Sequence, residues 1–350
     1  MYLIVLHHSM VHGVIDVKAS TVFMYPAANN LAIILATGGK VGVFLFVLIT
    51  GYFMVNSHIT LGKIIKLWLP IFFWSVVLFF VMGVPLHQFT ISNLIKAVFP
   101  IIFNQYWFMT VYFFMYLLIP ILNSIVNWVN SRRRKIYFII LGIMIMISGC
   151  PLFFGGAAQT GSQLLGFCFV YCIGAFLRKD NFLEKTNVVK KSNWIFLCLF
   201  LLEIILITIL TWLNIRFNSE TMLKIIHGLA LSYWALFVVF EAIGMFIWIG
   251  STNIGYHPIV NKIATITFGV YLISDNNYVR DFLWKTLLHM NNMIAKNPII
   301  MAGYAIFASA VVFIASGCLE YIRKLIFKKL ENHFSIQANK LQYRIMGKIK

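Results

Sequence analysis

Two adjacent imidazoles, His7 and His8, stand in the run Val5-Leu6-His7-His8-Ser9, with His12 four residues beyond His8. Histidine titrates near neutrality and can take a proton from a hydroxyl. An ionisable side chain inside an apolar segment costs free energy, and by default it is functional. On a helix His8 and His12 share a face. They could act as a general base, as two ligands of a metal, or as interfacial side chains. A metal site would need a third ligand and hydrogen-bonded support. Neither is visible, so no metal is expected.

The carboxylates Glu203, Glu241 and Asp275 also fall inside apolar runs. A carboxylate there is protonated, paired or turned to a cavity. Asp275 is the best placed, because Ser274, Asn276, Asn277 and Arg280 cluster around it. The catalytic candidates are therefore His8, His7 and Asp275.

Lys63 and Lys66 lie three apart, just ahead of Leu67-Trp68-Leu69-Pro70. They could grip a nucleotide phosphate or anchor the cytoplasmic end of a span. Tyr106-Trp107-Phe108, followed by Tyr112, Tyr116, Pro120 and Asn123, opens another run. Such aromatics form an interfacial belt or stack on a sugar ring. Gly39, Gly42 and Gly51 would let another helix approach closely. Cys150, Cys168, Cys172, Cys198 and Cys318 sit in apolar runs, where free thiols behave as small hydrophobes. Glycine-rich phosphate loops, Gly-x-Ser-x-Gly elbows and His-Glu-x-x-His motifs are absent.

The elements that must position these groups follow from composition. Of 350 residues, 61% are hydrophobic and 11% charged, with mean hydropathy +0.87. Soluble chains carry about 25% charged residues. The expected class is an all-α polytopic membrane protein, since backbone in lipid must satisfy its own hydrogen bonds. The apolar runs predict full spans at about Val41–Val55, Leu67–Val84, Trp107–Trp128, Ile136–Phe154 and Ser162–Leu177. Further spans follow at about Trp194–Leu213, Ile225–Ile247, Ile263–Trp284 and Ile299–Ile322. With a first segment from Met1 to about His12, this makes about ten transmembrane helices. That first segment would be only about 18 Å long, against a bilayer core of about 30 Å. It is expected to be an N-terminally truncated helix, with Met1 an internal methionine of a longer reading frame. No cleavable signal peptide is evident.

The net charge is +18, but the charges flank apolar runs, as at Arg132–Lys135 and after Tyr321. That placement sets topology and does not point to nucleic acid. Taking the loop after Val55 as cytoplasmic puts most of the 28 basic residues inside. The C-terminus is then cytoplasmic, and residues Ser9–Lys40 form an outside loop. The expected organisation is one membrane domain, 1–326, and a basic cytoplasmic tail, 327–350, lying on the anionic inner leaflet. No internal repeat is obvious, which argues against a transporter built from inverted repeats.

Taken in order, these motifs resemble the membrane-bound acyltransferase type 3 family, the bacterial O-acyltransferases of surface polysaccharides and lipid-linked glycans. Val5–Ser9 matches the family's Val-Leu-x-His-Ser context. Gly42–Phe53 is similar to its Gly-Val-x-Leu-Phe-Phe-x-Ile-Ser-Gly-Phe run, with Thr50 in the serine's place. Lys63 and Lys66 stand where the family has a basic pair three apart. Trp107, Phe108, Tyr112, Pro120 and Asn123 are similar to its next pattern. Tyr271-Leu272-Ile273-Ser274 resembles Tyr-Leu-Ile-His, with serine replacing histidine. The family's arginine ten residues before the histidine would fall upstream of Met1.

The resemblance implies a multi-pass enzyme of the bacterial plasma membrane, in contact with membrane lipid and with no bound cofactor. It would draw on cytoplasmic acetyl-CoA, or another acyl-CoA, as co-substrate. The acyl group would go to a hydroxyl of a surface polysaccharide or lipid-linked glycan acceptor. His8 would be the general base on the acceptor hydroxyl or help form an acyl intermediate, Lys63 and Lys66 would bind the CoA phosphates, and Tyr106, Trp107 and Tyr112 would line the acceptor side. The competing readings are an exporter of a glycan or lipid-linked precursor, with the buried His, Glu and Asp as a proton relay, and an inactive truncated copy.

Overall fold

A computed structural model describes residues 1–15, 24–149, 159–184, 191–217, 225–226, 228, 236–252 and 255–348. Cys150, Lys185 and Lys190, the end of the Ile136–Phe154 run and part of the Ile225–Ile247 run lie outside them. The described residues are helical, and no strand occurs among them. The principal helices are α1 (Tyr2–Ser9), α2 (Pro26–Met54), α3 (Leu61–Leu78), α4 (Ile91–Val98), α5 (Trp107–Trp128) and α6 (Arg132–Gly149). They are followed by α7 (Gln159–Lys179), α8 (Ser192–Phe217), α9 (Leu236–Ser251), α10 (Pro258–Ser274) and α11 (Pro298–Lys348). Wider π-helical turns extend α1 over Met10–Val14 and α3 over Phe79–Gly83.

Local chemistry explains the helix starts. Pro26 and Pro258 open α2 and α10, where a missing N–H costs nothing. Thr60 and Thr90 cap α3 and α4 by accepting from the amides of Lys63 and Asn93. Among the described residues, five helical stretches are long and apolar enough to cross a membrane: Pro26–Met54, Leu61–Gly83, Trp107–Trp128, Lys191–Phe217 and Pro298–Ile345. Phe237–Ser251 and Pro258–Ser274 are shorter apolar helices. The molecule is an all-α polytopic membrane protein.

The bundle is built around α2. In its most apolar window 67% of the residues are buried within the protein, against 17–33% in the other four long helices. It packs on α1, α7, α8, α9 and α11. The crossing of α2 and α7 is glycine on carbonyl: Gly51 lies against the Tyr171 carbonyl, and Gly174 against that of Leu48. A β-carbon at either site would meet backbone, so these positions need glycine to let the helices close.

Three expectations are corrected here. Residues 26–40 do not belong to an outside loop; they are the first half of α2. Gly39 and Gly42, the small residues expected to let another helix approach, lie against His7 and Ile4 of α1. The Ile263–Trp284 run is not one span. Its helix stops at Ser274, and the Asn276 side chain accepts the Tyr278 amide at 2.9 Å, turning the chain. The helix of the last predicted span does not stop near Ile322 but runs on to Lys348. Its far end docks on the start of α3. The Gln342 and Asn339 side chains accept the N–H groups of Leu61 and Gly62, each at 2.8 Å.

Candidate active site

The site grows from the end of α1. Successive residues on a helix point about 100° apart, so His7 and His8 face different neighbours. His7 covers Gly39, and its Nδ1 lies 2.7 Å from the Ala36 carbonyl, to which it donates. This ring is committed to joining α1 and α2. His8 faces the other way. Its Nε2 is 3.6 Å from Asp275 Oδ1, while its buried Nδ1 has no hydrogen-bond partner. His12, one turn on, also places its Nε2 3.6 Å from Asp275 Oδ1. The His8 and His12 ring centroids are 5.6 Å apart. One carboxylate thus serves two imidazoles, His8 buried and His12 partly exposed.

Asp275 is held by the turn that ends α10. Asn276 donates from Nδ2 to the Tyr106 hydroxyl at 2.6 Å, and Asn277 to Gln105 Oε1 at 3.2 Å. These bonds tie the turn to the residues that open α5. Aromatic rings fill the space between: Tyr271 lies 6.0 Å from His8, 6.3 Å from Tyr106 and 5.5 Å from Phe108, centroid to centroid. Asp275 is 3% exposed, and such a carboxylate needs compensating charge or hydrogen bonds. The two imidazoles and Lys40 supply it. Lys40, 5% exposed, lies within electrostatic reach of both Asp275 and His8, with its Nζ 5.5 Å from the Trp107 ring centroid. Arg280 also acts on His8 from the turn.

Of the residues singled out in the sequence, the structure therefore gathers His8, Asp275, Tyr106 and Trp107 at one place, with His7 behind them. Tyr112 stands further down α5, where its hydroxyl meets that of Thr50 at 2.9 Å. Glu203 and Glu241 are buried on α8 and α9, which contribute nothing to the cluster. Lys63 and Lys66 are exposed at the start of α3, apart from it. Lys40 is the group that sequence reasoning missed. Its signal was a cation bracketed by Gly39 and Gly42 inside an otherwise apolar run. Among the described residues no three His, Cys, Asp or Glu side chains are gathered to hold a metal ion.

A second feature lies where α2 meets α3. A cavity of about 510 Å³ is lined by Val55–Ile59 and, from α5, by Pro120, Asn123, Ser124 and Asn127. Cations reach its lining: Lys63 donates to the His58 carbonyl at 2.8 Å, and Lys179 donates to Asn127. Arg178 bonds the Tyr52 hydroxyl at 3.2 Å. Between this cavity and the His8 cluster α5 carries Tyr112 and Tyr116, and Tyr171 of α7 donates to Asn123 at 2.8 Å.

With this geometry in hand, comparison with known proteins gives one match. The family model of an acyltransferase domain matches residues 1–318. No curated protein and no solved structure matches.

Proposed function

The chain belongs to the acyltransferase type 3 family, and we propose that it moves an acyl group from a cytoplasmic acyl-CoA to a hydroxyl of a surface polysaccharide or lipid-linked glycan. The observation that carries this reading is the buried His8 ring. It is oriented by Asp275 through Nε2 and keeps Nδ1 without a partner. A buried polar atom left unmade is expensive, so a ring nitrogen in this state is suited to a substrate hydroxyl.

In this reading His8 takes the proton of the acceptor hydroxyl as its oxygen attacks the thioester carbonyl. Asp275 holds the imidazole in orientation and offsets the charge it gains. The C–S bond then breaks, and the thiolate leaves with that proton. His12 shares the carboxylate and supports the same charge. Tyr106 and Trp107 form an aromatic wall suited to a sugar ring, and Tyr112 continues it toward the cavity. The polar cavity between α2 and α5 suits the CoA moiety. Lys63 and Lys179, bonded to its lining, are placed to meet phosphate, and Lys66 stands one turn behind. The basic ends of α6, α7 and α11 support a plasma-membrane orientation with this cavity and the C-terminus facing the cytoplasm.

The test is to express the chain in a bacterium lacking the activity and to measure ester-linked acetate on its surface glycan. Acetate should appear with the wild type and vanish with His8→Ala at equal membrane abundance. Acetylation that persists without His8 would remove it from the chemistry. Loss of the glycan itself, with or without acetate, would favour export over acylation.

A further inference from the structure

We infer that Lys40 is a catalytic residue, its ammonium placed to stabilise the negative charge that forms on the acyl carbonyl oxygen during transfer. The inference rests on the His8 cluster being the reacting centre.

The position of Lys40 is unusual for a membrane lysine. Lysines near helix ends snorkel to the interface. Lys40 stands midway along α2, the most enclosed of the five long apolar helices, and is 5% exposed. Its backbone is fixed where Gly39 and Gly42 receive His7 and Ile4 of α1. Its ammonium lies against the Trp107 ring at 5.5 Å, a cation–π contact that gains strength where water is excluded. Trp107 adjoins Tyr106, whose hydroxyl is bonded by Asn276, the residue after Asp275. The start of α5, bonded to the turn that carries the carboxylate, therefore also holds the ammonium. Placing a desolvated cation there is costly, and charge balance with Asp275 offsets that cost without accounting for the choice of this site. A fixed cation beside a general base is what a tetrahedral intermediate requires. As the acceptor oxygen bonds to the carbonyl carbon, the C=O π pair moves onto its oxygen and the hydroxyl proton goes to His8. Lys40 meets the oxyanion. When the pair returns, the C–S bond breaks and the thiolate takes the proton from His8. Arg280, the other cation within reach of His8, is partly exposed, and water screens its charge.

The experiment uses the full chain in liposomes, with acetyl-CoA as donor, membrane vesicles of the expressing bacterium as acceptor, and CoA thiol release as readout. Lys40→Gln and Lys40→Met should lower kcat by about 10²- to 10³-fold, the usual loss on removing one oxyanion partner. KM for acetyl-CoA should change little, and Lys40→Arg should recover part of kcat. Trp107→Phe should cost less than Trp107→Leu, since only the former keeps a π face for the ammonium. If Lys40→Gln folds and keeps kcat within about threefold while His8→Ala is inactive, Lys40 has no catalytic role. If His8→Ala also keeps activity, the reading of the cluster fails, and with it this inference. Should Lys40→Gln and Lys40→Met not fold, Lys40→Cys is compared before and after alkylation with 2-bromoethylamine, which restores an ammonium. Recovery of kcat supports the assignment, and no recovery overturns it.

Discussion

His8 Nε2 stands 3.6 Å from Asp275 Oδ1, joining the end of α1 to the turn that closes α10. A carboxylate so placed orients the imidazole and answers its charge once it holds a proton. Asp275→Asn keeps the shape and removes the charge. It is expected to lower kcat for acetyl transfer by about 10²-fold or more, in line with the loss of a base's partner. His12→Ala should cost less, because His12 is the more exposed of the two imidazoles. Steady-state kinetics in liposomes compare them. A near-normal kcat for Asp275→Asn would separate this carboxylate from the chemistry.

The distance between that pair depends on how closely α1 lies on α2. At Gly39 an added methyl would overlap the Cβ of His7. Gly39→Ala must therefore push α1 outward, at about 1–3 kcal/mol for an overpacked contact. It should lower the melting temperature in detergent and depress kcat together. His7→Gly in the same chain removes the Cβ that the methyl meets, so the double variant should lose less than the sum of the two single variants. Additive losses would show that the two residues do not press on one another.

These relationships mark where the sequence was readable. Long apolar runs with few charges made the helical membrane class evident, because lipid leaves the backbone few alternatives. His8 and Asp275 stood out for a related reason: ionisable groups in apolar runs are expensive. Their pairing was not legible, since it is made by the packing of α1 against the turn after Ser274. Lys40 was hidden by its neighbours. Gly38-Gly39-Lys40 looks like the end of a loop until His7 and Trp107, both remote in sequence, are seen to cover it. The tail misled in the opposite sense. Its basic residues describe its solvated sides, whereas its docking on α3 depends on Asn339, Gln342 and a buried ion pair.

That ion pair gives a prediction about stability. Glu320 accepts from Trp74 Nε1 at 2.7 Å, and from Arg323 Nε and Nη2 at 2.7 and 2.8 Å. Arg323 reaches on to Glu331 at 2.5 Å. Both Glu320 and Arg323 are buried. Removing one partner of a buried pair strands the other charge, at about 3–5 kcal/mol. Glu320→Leu should therefore be strongly destabilising. Glu320→Leu with Arg323→Met should recover most of the loss in a thermal or denaturant series. Limited proteolysis of Glu320→Leu should release the segment after Phe327, which the wild type protects. Equal melting of wild type and Glu320→Leu would show that the network holds nothing together.

The two lysines at the start of α3 are separable, although their spacing alone treats them as a pair. Lys63 donates to the His58 carbonyl in the lining of the polar cavity, as Lys179 does to Asn127 from α7. Lys66 is one turn on, with an exposed side chain and outside that lining. If the cavity receives the CoA phosphates, Lys63→Ala and Lys179→Ala should each raise KM for acetyl-CoA by about 5- to 20-fold, the loss of one charge-assisted contact of roughly 1–2 kcal/mol. Their effect on kcat should be small, because a phosphate contact is made equally in the ground and transition states. Lys66→Ala should shift KM by no more than about twofold, as expected for an exposed charge. Raising the salt concentration should increase the wild-type KM and shrink its difference from Lys63→Ala, since screening weakens the contact already lost in the variant. Equal effects of Lys63→Ala and Lys66→Ala would move the phosphate site out of the cavity and onto the exposed face of α3.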